Sequence, residues 1–233
     1  MSPILVTGWQ ARALAGEPPA TISVDNLQVF VTGPHDAWGR PGRPQPASVS
    51  VEVMMSKPFA NSSSQDAVEA DTVHYGFLSK KIQEILDSVQ HDPAAPLSLA
   101  GMVQLIWEQL TGYALLKDAV SSDTGSSFLK KDSFRYLRIN MQLPKASLSG
   151  NGVSYTASAF MGDVDSPRSE ATSVKIHQLR VPTLIGVNGN EREAKQTVIA
   201  NIEIDKWIST ADEYCRIEAL VTKVRHIYRP SHA

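Results

Sequence analysis

The spacing of apolar residues changes along this chain, and the order of the two periods limits the possible folds more than any other feature. Val49, Val51 and Val53 alternate with polar residues, which predicts a half-buried strand. Two segments, 77–89 and 99–110, then carry apolar residues at helical spacing. Alternation returns at Leu137, Ile139, Met141 and Leu143. This order of strand, helix, helix and strand predicts an α+β fold.

Weaker signals place a further strand on each side of this pattern. The short apolar run 29–31 is stopped by Gly33 and Pro34, as expected for a strand that enters a loop. Beyond Leu143, the dipeptide Asn151-Gly152 predicts a hairpin turn before a returning strand. Together these signals predict a unit of strand, strand, helix, helix, strand and strand, with both helices on one face of an antiparallel sheet.

The C-terminal part of the chain repeats the beginning of this unit. Strand patterns at 174–185 and 197–204 are followed by helical spacing at 214–227. The first residues show no sustained period and are interpreted as an arm. The predicted divisions are an N-terminal arm at 1–21, a main unit at 22–161, a linker at 162–172 and a partial second unit at 173–233.

Charge and composition argue against several classes of function. The formal net charge of −2, from 22 basic and 24 acidic residues, gives no field that would gather nucleic acid or an anionic membrane. The single cysteine, Cys215, excludes an internal disulfide and any site built from several cysteines. The six histidines are scattered. We therefore expect no metal and no organic cofactor, and the lack of a long apolar run favours a cytoplasmic protein.

Three local segments resemble the dihydroneopterin aldolase (FolB-type) family. Segment 185–196, Ile-Gly-Val-Asn-Gly-Asn-Glu-Arg-Glu-Ala-Lys-Gln, is similar to the first strand-to-strand loop of that family. Segment 70–75, Ala-Asp-Thr-Val-His-Tyr, is similar to the start of the family's first helix, and segment 138–145 resembles its third strand. The resemblance implies the tunnelling fold, in which strand pairs from several subunits close a ring around pockets for a small planar ring substrate.

The same resemblance implies a homo-oligomer, as a dimer, a tetramer or an octameric ring. A short antiparallel sheet with helices on one face leaves its two edge strands unpaired. Joining these edges between copies satisfies their backbone groups. The extra strand pair is expected to extend each chain's share of the ring.

The family's catalytic residues match this sequence at some positions. Tyr75 matches a tyrosine that serves in acid-base chemistry from the neighbouring subunit, although an aromatic side chain at a helix start can also be purely structural. The family's loop glutamate is present as Glu191. The family lysine at the end of the third strand is replaced by Leu143, and Lys145, two residues later, is the alternative candidate. An ordinary solvated lysine is the competing interpretation.

The family's pterin anchor is missing from the expected position. That anchor is a glutamate at the start of the second helix, and the helical phase of the segment beginning at Leu99 puts Ala100 there. His74, beside Tyr75, could titrate near neutral pH. The predicted substrate contacts are Trp38, His74, Leu99, Ala100 and Leu143.

The segment 33–46 holds three glycines and four prolines, which predicts a shaped loop. It is the counterpart of the 185–196 segment in the first unit. If this loop forms a pocket, His35 and Asp36 are candidate acid-base groups, and Trp38 is a candidate stacking wall. A solvent-facing turn is the alternative.

Three functions are consistent with these residues. The first is a cofactor-independent lyase, isomerase or cyclase that acts on a planar hydroxylated ring other than a pterin, such as an aromatic natural product. The second is a genuine dihydroneopterin aldolase of folate biosynthesis, with its site completed by Tyr75 of one subunit and Glu191 of another. The third is a non-catalytic oligomeric scaffold, which the truncated second unit would suit.

Overall fold

The computed structural model describes residues 3–58, 74–90, 96–116, 127–130, 132–162, 168–186, 188, 190 and 193–224. The predicted order of strand, strand, helix, helix, strand and strand is present, so the mixed α+β class is confirmed. The elements are β1 (Ile4–Leu5), α1 (Gly8–Ala15), β2 (Thr21–Val31), β3 (Gln45–Met55), α2 (Tyr75–Gln90), α3 (Leu99–Thr111), β4 (Phe134–Leu143), β5 (Val153–Phe160), β6 (Ser169–Thr183), β7 (Gln196–Asp205) and α4 (Tyr214–Val224).

The seven strands of the described ranges form one sheet. Strands β2 to β7 are each antiparallel to the next along the chain, and β1 pairs in parallel with the first residues of β6. Strand β6 begins at Ser169, inside the segment expected to be a linker, so β6 and β7 extend the sheet formed by β2 to β5. The division of the chain into a main and a partial unit stays a prediction.

The main core lies on one face of this sheet. Alternation in β3 points Val49, Val51 and Val53 toward α2 and α3, where Trp107 is fully buried. Helix α4 joins the same core through Tyr214, which is 2% exposed. No helix in the described ranges is both long and apolar enough to cross a membrane.

Helix α1 packs against the other face of the sheet, and the sequence did not predict it. Thr7 caps the helix, because its side chain accepts the backbone N–H of Gln10 while the Gln10 side chain accepts the N–H of Thr7. The buried faces of Ala11 and Ala15 form a second apolar cluster with the sheet. The sheet residues of that cluster are Met54, Tyr136, Phe160 and Ala171.

Two boundaries differ from the sequence prediction for identifiable reasons. Strand β2 has 11 residues, but the apolar pattern predicts only 29–31, because a bulge between Val24 and Leu27 interrupts the alternation. Asn26 lies in that bulge with a φ of 53°. The β4–β5 connection runs from 144 to 152, so Asn151-Gly152 ends a longer loop and does not form a two-residue turn.

Candidate functional site

The loop between β2 and β3 is organised by the carboxylate of Asp36. One oxygen accepts the backbone N–H groups of Trp38 and Arg40 at 2.9 and 3.0 Å. The other oxygen lies 2.7 Å from Nε and 2.6 Å from Nη2 of the Arg40 guanidinium, whose N–H groups donate to it. The hydrogen bond from the Arg40 side chain lowers the pKa of Asp36. This carboxylate is therefore ionised at neutral pH and is already engaged within its own loop.

Two residues of the C-terminal segment, Asp212 and Tyr214, hold this loop against the start of helix α3, and we call this pair the clamp. Asp212 accepts the backbone N–H of His35 with one oxygen and the N–H of Leu99 with the other, both at 2.9 Å. The hydroxyl of Tyr214 donates to the carbonyl of His35 at 2.6 Å. Desolvation by burial raises the pKa values of both Asp212 and Tyr214. Gly33 allows the loop to approach the residues before α3 closely, because a Cβ at position 33 would lie only 2.6 Å from the Leu97 carbonyl oxygen.

A cleft of about 420 Å³ opens between this loop and the β4–β5 connection, and we call it the loop cleft. The side chain of Trp38 lines this cleft and is 69% exposed to solvent. The guanidinium carbon of Arg40 lies 5.0 Å from the centroid of the Trp38 ring. Lys145 enters from the β4–β5 connection. The residues that line the loop cleft are Asp36, Trp38, Arg40, Arg43, Pro44, Gln45, Pro46 and Lys145.

Gln45, at the start of β3, contributes the most buried polar side chain of the loop cleft. It is 5% exposed, and its amide nitrogen donates to the carbonyls of Pro34 and His35 at 2.9 and 3.2 Å. Because both partners are carbonyl oxygens, the end of the amide that faces them must be the NH₂ group, and the other end is the oxygen. Its oxygen has no hydrogen-bond partner among the described residues. This oxygen has almost no surface exposed to solvent, so a small shift of the loop must uncover it before a donor on a ligand can bind it.

The loop cleft brings together three of the residues singled out from the sequence, namely Asp36, Trp38 and Lys145. His35 does not line it, and its backbone is bonded to Asp212, Tyr214 and Gln45. The pairing of Asp36 with Arg40 makes it an organiser of the loop and argues against proton transfer by its carboxylate. The exposed indole of Trp38 has the geometry of a stacking wall.

The other predicted residues lie elsewhere. Tyr75 is 65% exposed at the start of α2, where it stacks on His74 with ring centroids 4.8 Å apart, and neither side chain lines the loop cleft. Leu99, Ala100 and Leu143 are buried in the core and are not exposed to it. Glu191 lies outside the described residues. The described ranges contain no group of three or more side chains suited to hold a metal ion.

Sequence reasoning missed Gln45, Arg43 and the clamp residue Asp212. The sequence does carry a signal for Gln45. The family-like segment 185–196 ends at Gln196, which is the first residue of β7, and Gln45 is in the same way the first residue of β3. No sequence signal could reveal Asp212, which bonds to His35 across 177 positions of the chain.

Comparisons with known proteins give a distant relative and a shared fold. No family model matches the chain. The folic acid synthesis protein fol1 of Schizosaccharomyces pombe is 25% identical over 183 residues, which cover 78% of this chain and 21% of fol1. The chain thus spans about a fifth of the length of that relative.

Among solved structures, urate oxidase from Bacillus sp. TB-90 superimposes with a TM-score of 0.50 at 13% sequence identity, covering 89% of this chain and 77% of the other. A second structure of the same enzyme gives a TM-score of 0.51 at 12% identity, with the same coverage. At this identity the likeness shows the fold alone. It agrees in outline with the predicted tunnelling fold.

Proposed function

We propose that this protein is a tunnelling-fold enzyme, a cofactor-independent lyase or isomerase, that binds a planar hydroxylated ring in the loop cleft and transforms it by acid-base catalysis. The observation that carries the proposal is the meeting of an exposed indole, Trp38, with the ammonium group of Lys145 in one cleft. The indole supplies a flat surface for a ring. The ammonium group supplies a proton where charge develops on that ring.

The chemistry needs two proton-transfer groups. In an isomerisation, a base removes a proton from one atom of the ring system and Lys145 returns one to another atom. In a retro-aldol step, the base removes the proton of a side-chain hydroxyl, the carbon–carbon bond breaks, and the carbon that receives the electron pair is protonated. Tyr75 of a neighbouring copy is the candidate for the second group, as the family resemblance implies.

The unpaired strand edges support an assembly that would supply this second group. Strands β2 and β7 each pair with only one other strand of the described sheet. The edges of two copies can therefore join, as the predicted homo-oligomer requires. The exposed position of Tyr75 is compatible with a role in the site of another copy.

A genuine dihydroneopterin aldolase is the second candidate, and the likeness to fol1 favours it. Against it, Ala100 stands where the family has its anchoring glutamate. The nearby carboxylate of Asp212 already accepts two backbone N–H groups and does not line the loop cleft. Incubation with 7,8-dihydroneopterin separates the two, because release of glycolaldehyde that is lost in Lys145→Met would establish the aldolase and end the non-pterin proposal.

The catalytic proposal itself is tested by proton exchange. A set of hydroxylated bicyclic rings is incubated with the protein in D₂O, and deuterium uptake at carbon is followed by mass spectrometry. Lys145→Met is expected to slow uptake by about a hundredfold, the usual contribution of a positioned acid or base. Lys130→Met is the matched control, since Lys130 is exposed beyond the far end of α3. Uptake by the wild-type protein no faster than in buffer for every ring would refute catalysis on this class.

A further inference from the structure

The loop cleft has an unbalanced charge. Three cationic side chains, Arg40, Arg43 and Lys145, line it with one carboxylate, Asp36. That carboxylate is engaged by Arg40 through two short contacts. Arg43 and Lys145 have no carboxylate within ion-pair distance among the described residues. Two positive charges in the cleft are therefore left for an external anion.

Gln45 provides an independent sign of a ligand. Its amide nitrogen is committed to the two carbonyls of the loop, so its oxygen is the end that stays unsatisfied. Leaving a buried acceptor unpaired costs free energy, and native proteins rarely do so without a water or a ligand to satisfy it. The group that satisfies this oxygen must be a donor, an O–H or an N–H.

Trp38 sets the shape of that ligand. The indole is 69% exposed and so presents a large apolar surface to solvent, and a flat ring stacked on it would remove that surface from water. The prolines beside it, Pro44 and Pro46, stiffen the walls of the cleft. The cleft volume of about 420 Å³ suits a small bicyclic ring better than a polymer.

We infer that the loop cleft binds a planar ring that is an anion, with its negative charge held by Arg43 and Lys145 and an O–H or N–H donor of the ring held by the oxygen of Gln45. This inference rests on the proposed function for the location of the site, and it adds the charge of the substrate. A site with an acidic anchor would select a different ligand, because a carboxylate binds hydrogen-bond donors and repels an anionic ring.

Three related probes test charge and donor separately by isothermal titration calorimetry. The first, 6-hydroxy-2-naphthoate, carries both features, 6-hydroxy-2-naphthamide lacks the charge, and 2-naphthoate lacks the hydroxyl. The first probe is expected to bind at least about tenfold more tightly than either of the others. Its affinity should fall as sodium chloride is raised, while that of the amide stays constant. An amide that binds as tightly as its carboxylate would overturn the inference.

Variants then assign the two features to residues. Arg43→Met and Lys145→Met should each weaken the first probe by about fivefold or more and leave the amide unchanged. Lys130→Met should change neither affinity. Gln45→Met should bring the first probe and 2-naphthoate to similar affinities; circular dichroism checks its fold, because Gln45 also bonds the loop. If the two probes differ as much in a folded Gln45→Met as in the wild type, the role of Gln45 is refuted.

These measurements distinguish the inference from the proposed function. Binding is measured without turnover, so a preference for anions would stand even if the deuterium experiment showed no catalysis. Catalysis on neutral rings with no preference for anions would preserve the enzyme proposal and refute the inference.

Discussion

At the scale of single residues, the site depends on polar groups whose partners are distant in sequence. Asp212 holds both the loop and the start of α3, and the carbonyl of His35 receives hydrogen bonds from Tyr214 and Gln45. Each of these bonds satisfies a backbone group of the loop or of the helix start. The shape of the loop cleft is thus maintained by residues that do not all line it.

Replacing Asp212 by alanine should destabilise the protein by about 2 kcal/mol or more, because two backbone N–H groups lose their acceptor. Urea denaturation measures the change in the free energy of unfolding. Asp132→Ala is the control, since Asp132 is an exposed carboxylate. Equal stabilities of the two variants would show that the clamp contributes nothing.

His177 should make stability fall on acidification. Burial and the nearby Lys175 lower its pKa from the ordinary value of 6.5, and its Nε2 lies 2.8 Å from the hydroxyl of Ser154. As the pH falls through 6.5, the unfolded chain binds a proton that the folded protein resists, so the contribution present at higher pH is lost. His177→Gln should flatten the dependence of thermal stability between pH 7 and about pH 5. An unchanged pH profile would contradict this.

At the scale of elements, caps and bulges decide what periodicity misses. Helix α1 has only 8 residues, too few for a sustained period, and its position is set by the Thr7 cap and by Ala11 and Ala15. The bulge at Asn26 hides the length of β2 in the same way. The apolar faces of the longer helices α2 and α3 repeat over several turns, and the sequence therefore predicts both helices.

The β4–β5 connection should not tolerate a side chain at position 152. Gly152 has a φ of 96°, and a Cβ there would lie 2.3 Å from the Leu143 carbonyl oxygen and 2.5 Å from the Pro144 Cα. Gly152→Ala should therefore cost about 3 kcal/mol or more, from strain and from a clash with backbone that cannot move aside. Thermal denaturation measures this cost. Gly16→Ala is the control, because Gly16 also has a positive φ of 64° but has nothing within 4 Å of its Cβ position, so it should cost about 1 kcal/mol.

At the scale of the whole molecule, the C-terminal segment completes the packing of the rest of the chain. Asp212 and Tyr214 hold the β2–β3 loop, and Glu218 accepts the backbone N–H of Ser149 in the β4–β5 connection at 2.9 Å. These two loops are the walls of the loop cleft. The C-terminal segment therefore fixes both walls relative to the sheet.

Removal of residues 206–233 should loosen the loop cleft while leaving the strands in place. Backbone amides of residues 33–42 are expected to exchange hydrogen at least about tenfold faster, whereas those of β3 and β4 change less. Hydrogen exchange followed by mass spectrometry measures both regions in one experiment. Unchanged protection of the loop would show that the clamp does not hold it.

The sequence by itself determined the class of the fold, the order of the main elements and the presence of a shaped loop with an indole. These features depend on local properties, namely the period of apolar residues, the conformational limits of glycine and proline, and short motifs. It also pointed to Trp38 and Lys145, although not to the fact that they share a cleft.

Only the tertiary structure decided the chemistry of the cleft. Asp36 was a candidate acid-base group until its contacts with Arg40 showed an engaged carboxylate, and Gln45 became important only through the bonds that its amide nitrogen makes. The physical reason is that the charge state and the free hydrogen-bonding capacity of a polar group are set by its neighbours in space. Those neighbours, such as Asp212 beside His35, are separated along the chain by distances that no local pattern records.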